Sequence, residues 1–128
     1  MIGYVTLGTN QFTAAAAFYD ALFGSLGFGR ILEQENVFIA WGPSMKAPAV
    51  SITIPYNKEP ATVGNGTMVA IALKDPAQVN AFYQQALALG GSDEGEPGFR
   101  PPSDNKGFYA AYFRDLDGNK LNAFCLVE

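Results

Sequence analysis

Asn122 carries the chemistry in this sequence that is hardest to assign to packing. It stands in the apolar run KLNAFCLV, Lys120–Val127, where a buried amide needs several hydrogen-bond partners to offset its desolvation. Around it the usual chemical tools are scarce. The chain has no histidine, which removes the commonest general base near neutral pH and the commonest transition-metal ligand together. Its one cysteine, Cys125, lies in the same run. A free thiol in a core strand suits a reducing cytoplasm and gives no reason to expect a nucleophile. The eight Lys and Arg residues are scattered against twelve Asp and Glu, for a net charge of −4. Without a basic cluster, nucleic acid is not an expected partner. No run approaches the roughly 18 apolar residues of a membrane helix, and the opening MIGYVTLG lacks the basic start of a signal peptide.

The elements that must position such side chains can be read along the chain. Ile2–Gly8 patterns as a strand, and Asn10–Phe23 as a helix capped by Thr9 or Asn10. The helix has Ala15, Phe18, Tyr19, Leu22 and Leu26 spaced along one face. Three short β-rich runs follow, Gly29–Glu33, Val37–Trp41 and Ala49–Ile54, with the turn-forming GPSMKAP before the last. After the irregular stretch IPYNKEPATVGNG, Thr67–Leu73 reads as a strand. Asp75–Leu89 reads as a helix, with Asp75 as cap and Pro76 at its first position. The loop Asp93–Gly107 carries a short or irregular strand. Phe108–Arg114 and Lys120–Val127 form a hairpin closed by DLDGN, which is expected to be a turn without a catalytic role.

The second half repeats the first. Subtracting 64 places Met68-Val69 on Tyr4-Val5, Ala81-Phe82-Tyr83 on Ala17-Phe18-Tyr19, and Gly91 on Gly27. The apolar faces of both helices coincide, so Tyr19 and Tyr83 are expected to be structural. The chain therefore reads as βαβββ twice: an α+β single domain with module one at about 1–60 and module two at about 65–128, its curved mixed sheets set around a cavity. Two ferredoxin-like units would use the same elements, but three consecutive strands after each helix argue against them.

Four stretches carry a family resemblance: MIGYVTLGTN with AAFYDALFGSLGF after it, EPATVGNGTMVAIAL, GEPGFRP, and FYAAYFRDLDGNKLNAFC. In this order, spanning nearly the whole chain, they resemble a small bacterial branch of the vicinal-oxygen-chelate superfamily, the glyoxalase, bleomycin-resistance and extradiol-dioxygenase group. The last stretch is the most specific. The resemblance implies that metal-dependent members hold a divalent ion with a His early in the first strand of each module and a Glu in the final strand. Here those positions are Tyr4, Met68 and Asn122. A phenol, a thioether and a neutral amide are poor ligands for such an ion, and Ser51 and Thr53 add no anionic ligand. No metal and no other cofactor are therefore expected.

The resemblance instead makes these positions the lining of an inter-sheet cavity. Strand alternation adds Thr6 beside Tyr4, and counting back across DLDGN sets Tyr112 beside Asn122. Trp41 and Phe124 complete an apolar lining, and the Arg100 loop offers a guanidinium to an anionic group. For Tyr4, Tyr112 and Met68 the alternative is ordinary packing, and for Arg100 a solvated loop charge. Three functions stay open. The first is a metal-free small-molecule binder, which the resemblance implies to be a homodimer. The second is a glyoxalase-like lyase or dioxygenase-type enzyme with atypical ligands, or one using Tyr4 as metal-independent acid or base. The third is a module whose cavity is filled by side chains.

Overall fold

The computed structural model describes residues 1–128 and divides them into two compact units, Met1–Asn65 and Gly66–Glu128. The first unit runs β1 (Tyr4–Gly8), α1 (Phe12–Gly24), β2 (Arg30–Gln34), β3 (Phe38–Trp41) and β4 (Ala49–Thr53). The second runs β5 (Val69–Ala72), α2 (Pro76–Ala88), β6 (Ser92–Phe99), β7 (Gly107–Arg114) and β8 (Lys120–Val127). Each unit is a four-stranded mixed sheet with one helix, so the class is α+β. The strand orders are β1-β4-β3-β2 and β5-β8-β7-β6, and in each sheet the strand before the helix pairs in parallel with the last strand. Adding 64 to the bounds of α1 gives those of α2. Neither helix is long and apolar enough to cross a membrane.

The helices begin by different means. In α2, Asp75 caps as expected, its carboxylate accepting from Gln78 N at 2.8 Å, while Gln78 Oε1 accepts from Lys74 N at 2.9 Å. Two donors at the helix start are thereby satisfied almost reciprocally. In α1 neither Thr9 nor Asn10 is the cap. The helix starts at Phe12 after Gln11, which makes no side-chain cap bond. Asn10 is occupied elsewhere: its amide donates to Ala61 O at 3.1 Å and accepts from Ala61 N at 2.7 Å, tying down the chain after β4.

In the second unit the core lies between α2 and one face of its sheet. Val79, Phe82, Tyr83 and Ala86 of α2 are buried with Phe113, Leu121, Ala123 and Cys125 of the strands, and Phe82 meets Phe113 at 6.1 Å between ring centroids. Burial pushes the Cys125 thiol upward, as befits a packing residue. The weak strand before the final hairpin is β6. It spans eight residues, and its register against β7 shifts twice, once on each side of Gly95. These bulges hide its alternation in the sequence.

Tyr83 ties α2 to β6 by donating its hydroxyl to Asp93 Oδ1 at 2.9 Å. Its burial, and then the Asp93 carboxylate, push its pKa up to about 12. The folded state thus keeps this proton after an unfolded tyrosine, with a pKa near 10, has lost it. The stability Tyr83 contributes is complete below about pH 10 and is lost between about pH 10 and 12, at a slope approaching ~1.4 kcal/mol per pH unit. Urea melts across that range should show a steeper alkaline decline for the wild type than for Tyr83→Phe. Parallel declines would remove Tyr83 as the cause.

Candidate functional site

Alternation in the final hairpin decides which side chains leave the helix-covered core. Leu121, Ala123 and Cys125 point toward α2, so Lys120, Asn122, Phe124 and Leu126 occupy the helix-free face of β8. The DLDGN turn fixes the register. Asp115 Oδ1 accepts from the backbone N–H of Asp117 and of Asn119, each at 2.9 Å, and its Oδ2 accepts from Asn119 Nδ2 at 3.0 Å. Gly118 supplies the positive φ of 89°. The turn therefore opposes Arg114 to Lys120 and, two pairs on, Tyr112 to Asn122. On the other side Asn122 is paired with Ala70 of β5.

Asn122 is only 2 % exposed, yet its Oδ1 has no hydrogen-bond partner. Comparison with the first unit shows why. The parallel pair β1-β4 sets Thr6 against Ser51, as β5-β8 sets Ala70 against Asn122. Ser51, fully buried, donates to Val5 O at 2.9 Å, and its oxygen pairs with the Thr6 hydroxyl at 3.0 Å. The position corresponding to Thr6 is Ala70, which has no polar side chain to offer. An unpartnered buried carbonyl costs on the order of 1–3 kcal/mol. Asn122 thus presents a buried acceptor for which its own module supplies no donor.

Aromatic and cationic groups share this face. Phe124, two residues along β8, stacks on Phe108 of β7 with centroids 5.1 Å apart and planes at 23°. Arg100 lies 5.5 Å from the Tyr112 ring centroid and Lys120 lies 5.6 Å from it, both within the range of a favourable cation–π contact. Lys120 escaped notice in the sequence, although alternation from Asn122 would have found it. Phe108 could have been found the same way from the turn.

The remaining expected site residues are placed as follows. Tyr4 opens β1, 60 % exposed, its ring edge-on to Phe38 at 6.2 Å. Thr6 is exposed, and its hydroxyl pairs with that of Ser51. Met68 sits just before β5 and is 40 % exposed. Trp41 does not line a ligand surface and is a correction to the sequence expectation. It faces α1, 1 % exposed, with Tyr19 at 5.6 Å and Phe23 at 6.3 Å. Its indole N–H donates to Asp20 Oδ1 at 2.9 Å, and Arg30 grips both oxygens of the same carboxylate. The hydrogen bond from Arg30 is the main reason the Asp20 pKa is lowered. The polar end of the indole is satisfied at the helix, which explains why that face wins.

Tyr4, Met68 and Asn122 offer no anionic donor, and nowhere does the chain group three or more Cys, Asp or Glu residues so as to hold an ion. These positions do not fit the divalent metal of metal-dependent relatives.

This architecture, a helix and a four-stranded mixed sheet used twice, defines a class. The family model for the Glyoxalase/Bleomycin resistance protein/Dioxygenase superfamily matches residues 1–123, and the chain belongs to that superfamily. Among solved structures it is similar to a glyoxalase/bleomycin resistance protein from Albidiferax ferrireducens T118. That likeness has 38 % identity and a TM-score of 0.84, and covers 98 % of each chain. It shares the fold of a lactoylglutathione lyase from Agrobacterium tumefaciens, with 22 % identity, a TM-score of 0.70, and coverage of 98 % of this chain and 92 % of that one. It also shares that of a glyoxalase/bleomycin resistance protein/dioxygenase family enzyme from Burkholderia phytofirmans PsJN, with 16 % identity, a TM-score of 0.72 and coverage of 97 % of each chain. No match was found among curated proteins.

Proposed function

We propose that this chain is a metal-free small-molecule-binding protein whose ligand rests on the helix-free face of the second sheet, over Asn122. The observation that carries this reading is the buried, unpartnered Oδ1 of Asn122, at the position where the family resemblance places a metal-binding carboxylate. An acidic residue there would bring a charge for a cation to neutralise. The amide brings none and instead accepts one hydrogen bond from a ligand N–H or O–H. Tyr112 beside it and the stacked Phe108–Phe124 pair supply apolar contact area, the common composition of a small-molecule site.

The reading is tested by metal analysis of untagged protein together with its melting temperature before and after chelator. Metal below about 0.1 equivalents per chain and a melting shift under ~1 °C are expected, because a bound ion would stabilise the folded state by mass action. Stoichiometric metal, with a melting loss of several degrees on its removal, would overturn the reading in favour of a metal-dependent lyase or dioxygenase. Light scattering on the same sample tests the homodimer that we propose alongside it, and a monomer would sink that assembly.

A further inference from the structure

The chain carries eight Lys and Arg residues against twelve Asp and Glu. Its ion pairs join Arg30 to Asp20 and Glu33, and Arg114 to Glu94. Of the six cations outside those pairs, Lys46, Lys58, Lys74 and Lys106 are exposed, and Arg100 and Lys120 are not. Both are half-buried, neither has a carboxylate partner, and both lean over one face residue, Tyr112. Lys120 is felt by the Glu94 carboxylate, but that group's oxygen is held by Arg114 Nε at 2.5 Å. On a chain of net charge −4, two half-buried cations without an ion pair thus gather at one ring.

Arg100 is also positioned. Gly95 and Gly98 of β6 lie opposite Tyr112 and Ala110. A Cβ at Gly95 would come within 3.3 Å of Arg100 Nη2, and one at Gly98 within 3.0 Å of Nη1. The two missing side chains leave the space in which the guanidinium lies. Arg100 Nη2 donates to Glu96 O at 2.6 Å, which fixes the head group and leaves other donors of the fork for an anion.

Along the face the order is cations at Tyr112 and Lys120, the acceptor of Asn122, then the Phe124–Phe108 stack. Successive residues on the face of β8 are roughly 7 Å apart, a spacing that suits one small molecule. We infer that this face takes a small carboxylate with an apolar body, its anion bound by Arg100 and Lys120 and its own hydroxyl or amide N–H donating to Asn122. The inference rests on the reading of this face as a binding surface and names the class of ligand.

The test is a thermal-shift series at millimolar concentration with two acids and their neutral primary amides: 3-phenyllactate with 3-phenyllactamide, and N-benzoylglycine with N-benzoylglycinamide. Both acids carry an apolar ring and a donor. A rise of about 2–4 °C is expected for at least one acid, with its amide giving less than half. The acid's shift should vanish in the double variant R100Q/K120Q and shrink in Gly98→Ala, which displaces the guanidinium without removing it. Native Trp41 fluorescence in each variant verifies folding. Equal shifts from acid and amide would overturn the anion while leaving a binding surface in place. An acid shift that survives R100Q/K120Q would place the anion elsewhere and overturn the inference. A larger shift from phenyl phosphate than from either acid would replace the carboxylate with phosphate. No shift from any compound would overturn both the inference and the binding reading.

Discussion

Trp41→Ala should destabilise the protein by about 3–5 kcal/mol, the ordinary cost of truncating a large aromatic in a close-packed core. Two losses add there. The indole fills the layer between β3 and α1, stacked near Tyr19 and Phe23, and no neighbour can enlarge to replace it. Its N–H also leaves Asp20, which then keeps only Arg30 among these side-chain donors. Trp41→Phe should recover most of the packing but not the hydrogen bond, losing about 1–2 kcal/mol. Equilibrium urea unfolding followed by far-ultraviolet circular dichroism measures both variants. A loss below ~1 kcal/mol for Trp41→Ala would mean that the indole is not a core residue, and would restore it to a ligand surface.

That error of placement shows what the sequence can and cannot specify. In Val37–Trp41 every candidate core residue is apolar, so alternation separates Phe38 and Ala40 from Ile39 and Trp41 without saying which pair meets the helix. The answer depends on Asp20, whose carboxylate is available to the indole only when α1 packs on that face. Asp20 lies one residue after Tyr19, and a single polar residue at the rim of a helical stripe gives no signal until the helix is docked. The helices themselves were legible because 3.6-residue periodicity recurs at a constant offset in both modules. The cap of α2 was also legible, since Asp75 and Pro76 act locally. The cap of α1 was not, because Asn10 is claimed by Ala61, fifty-one residues away.

The candidate face divides in the same manner. Tyr112 opposite Asn122 followed from a short hairpin whose turn residues are explicit in the sequence. Lys120 and Phe108 follow from the same alternation once Asn122 is taken as the centre. The cradle for Arg100 does not, because it is made of absent side chains on a twice-bulged strand whose register no local pattern fixes. The strain at Asn122 was half legible. A strand amide without evident partners could be noticed in the sequence, but its orphaned Oδ1 became visible only when Ala70 was found where the first module has Thr6.

Asn122→Leu should therefore raise the stability of ligand-free protein while weakening binding, and these opposite signs separate a ligand acceptor from a core amide. Leucine has the same branched four-atom side chain as asparagine, is bulkier, and carries no polar atom. It removes the unpaired carbonyl, worth on the order of 1–3 kcal/mol when buried, and buries additional apolar surface next to Tyr112 and Ala70. Imperfect fit of the branched side chain offsets part of this, so a net gain of about 1–2 kcal/mol is expected. That corresponds to roughly 4–10 °C in melting temperature for a chain of this size. A ligand that donates to Oδ1 would lose its hydrogen bond and leave its own donor buried against a methyl group, weakening binding by at least ~30-fold, or about 2 kcal/mol. Calorimetric melting and titration of the same preparation read the two effects together. If Asn122→Leu instead lowers stability by 2 kcal/mol or more, the amide is bonded within the fold. The selection that keeps it would then be structural, and the binding surface would lose its central residue.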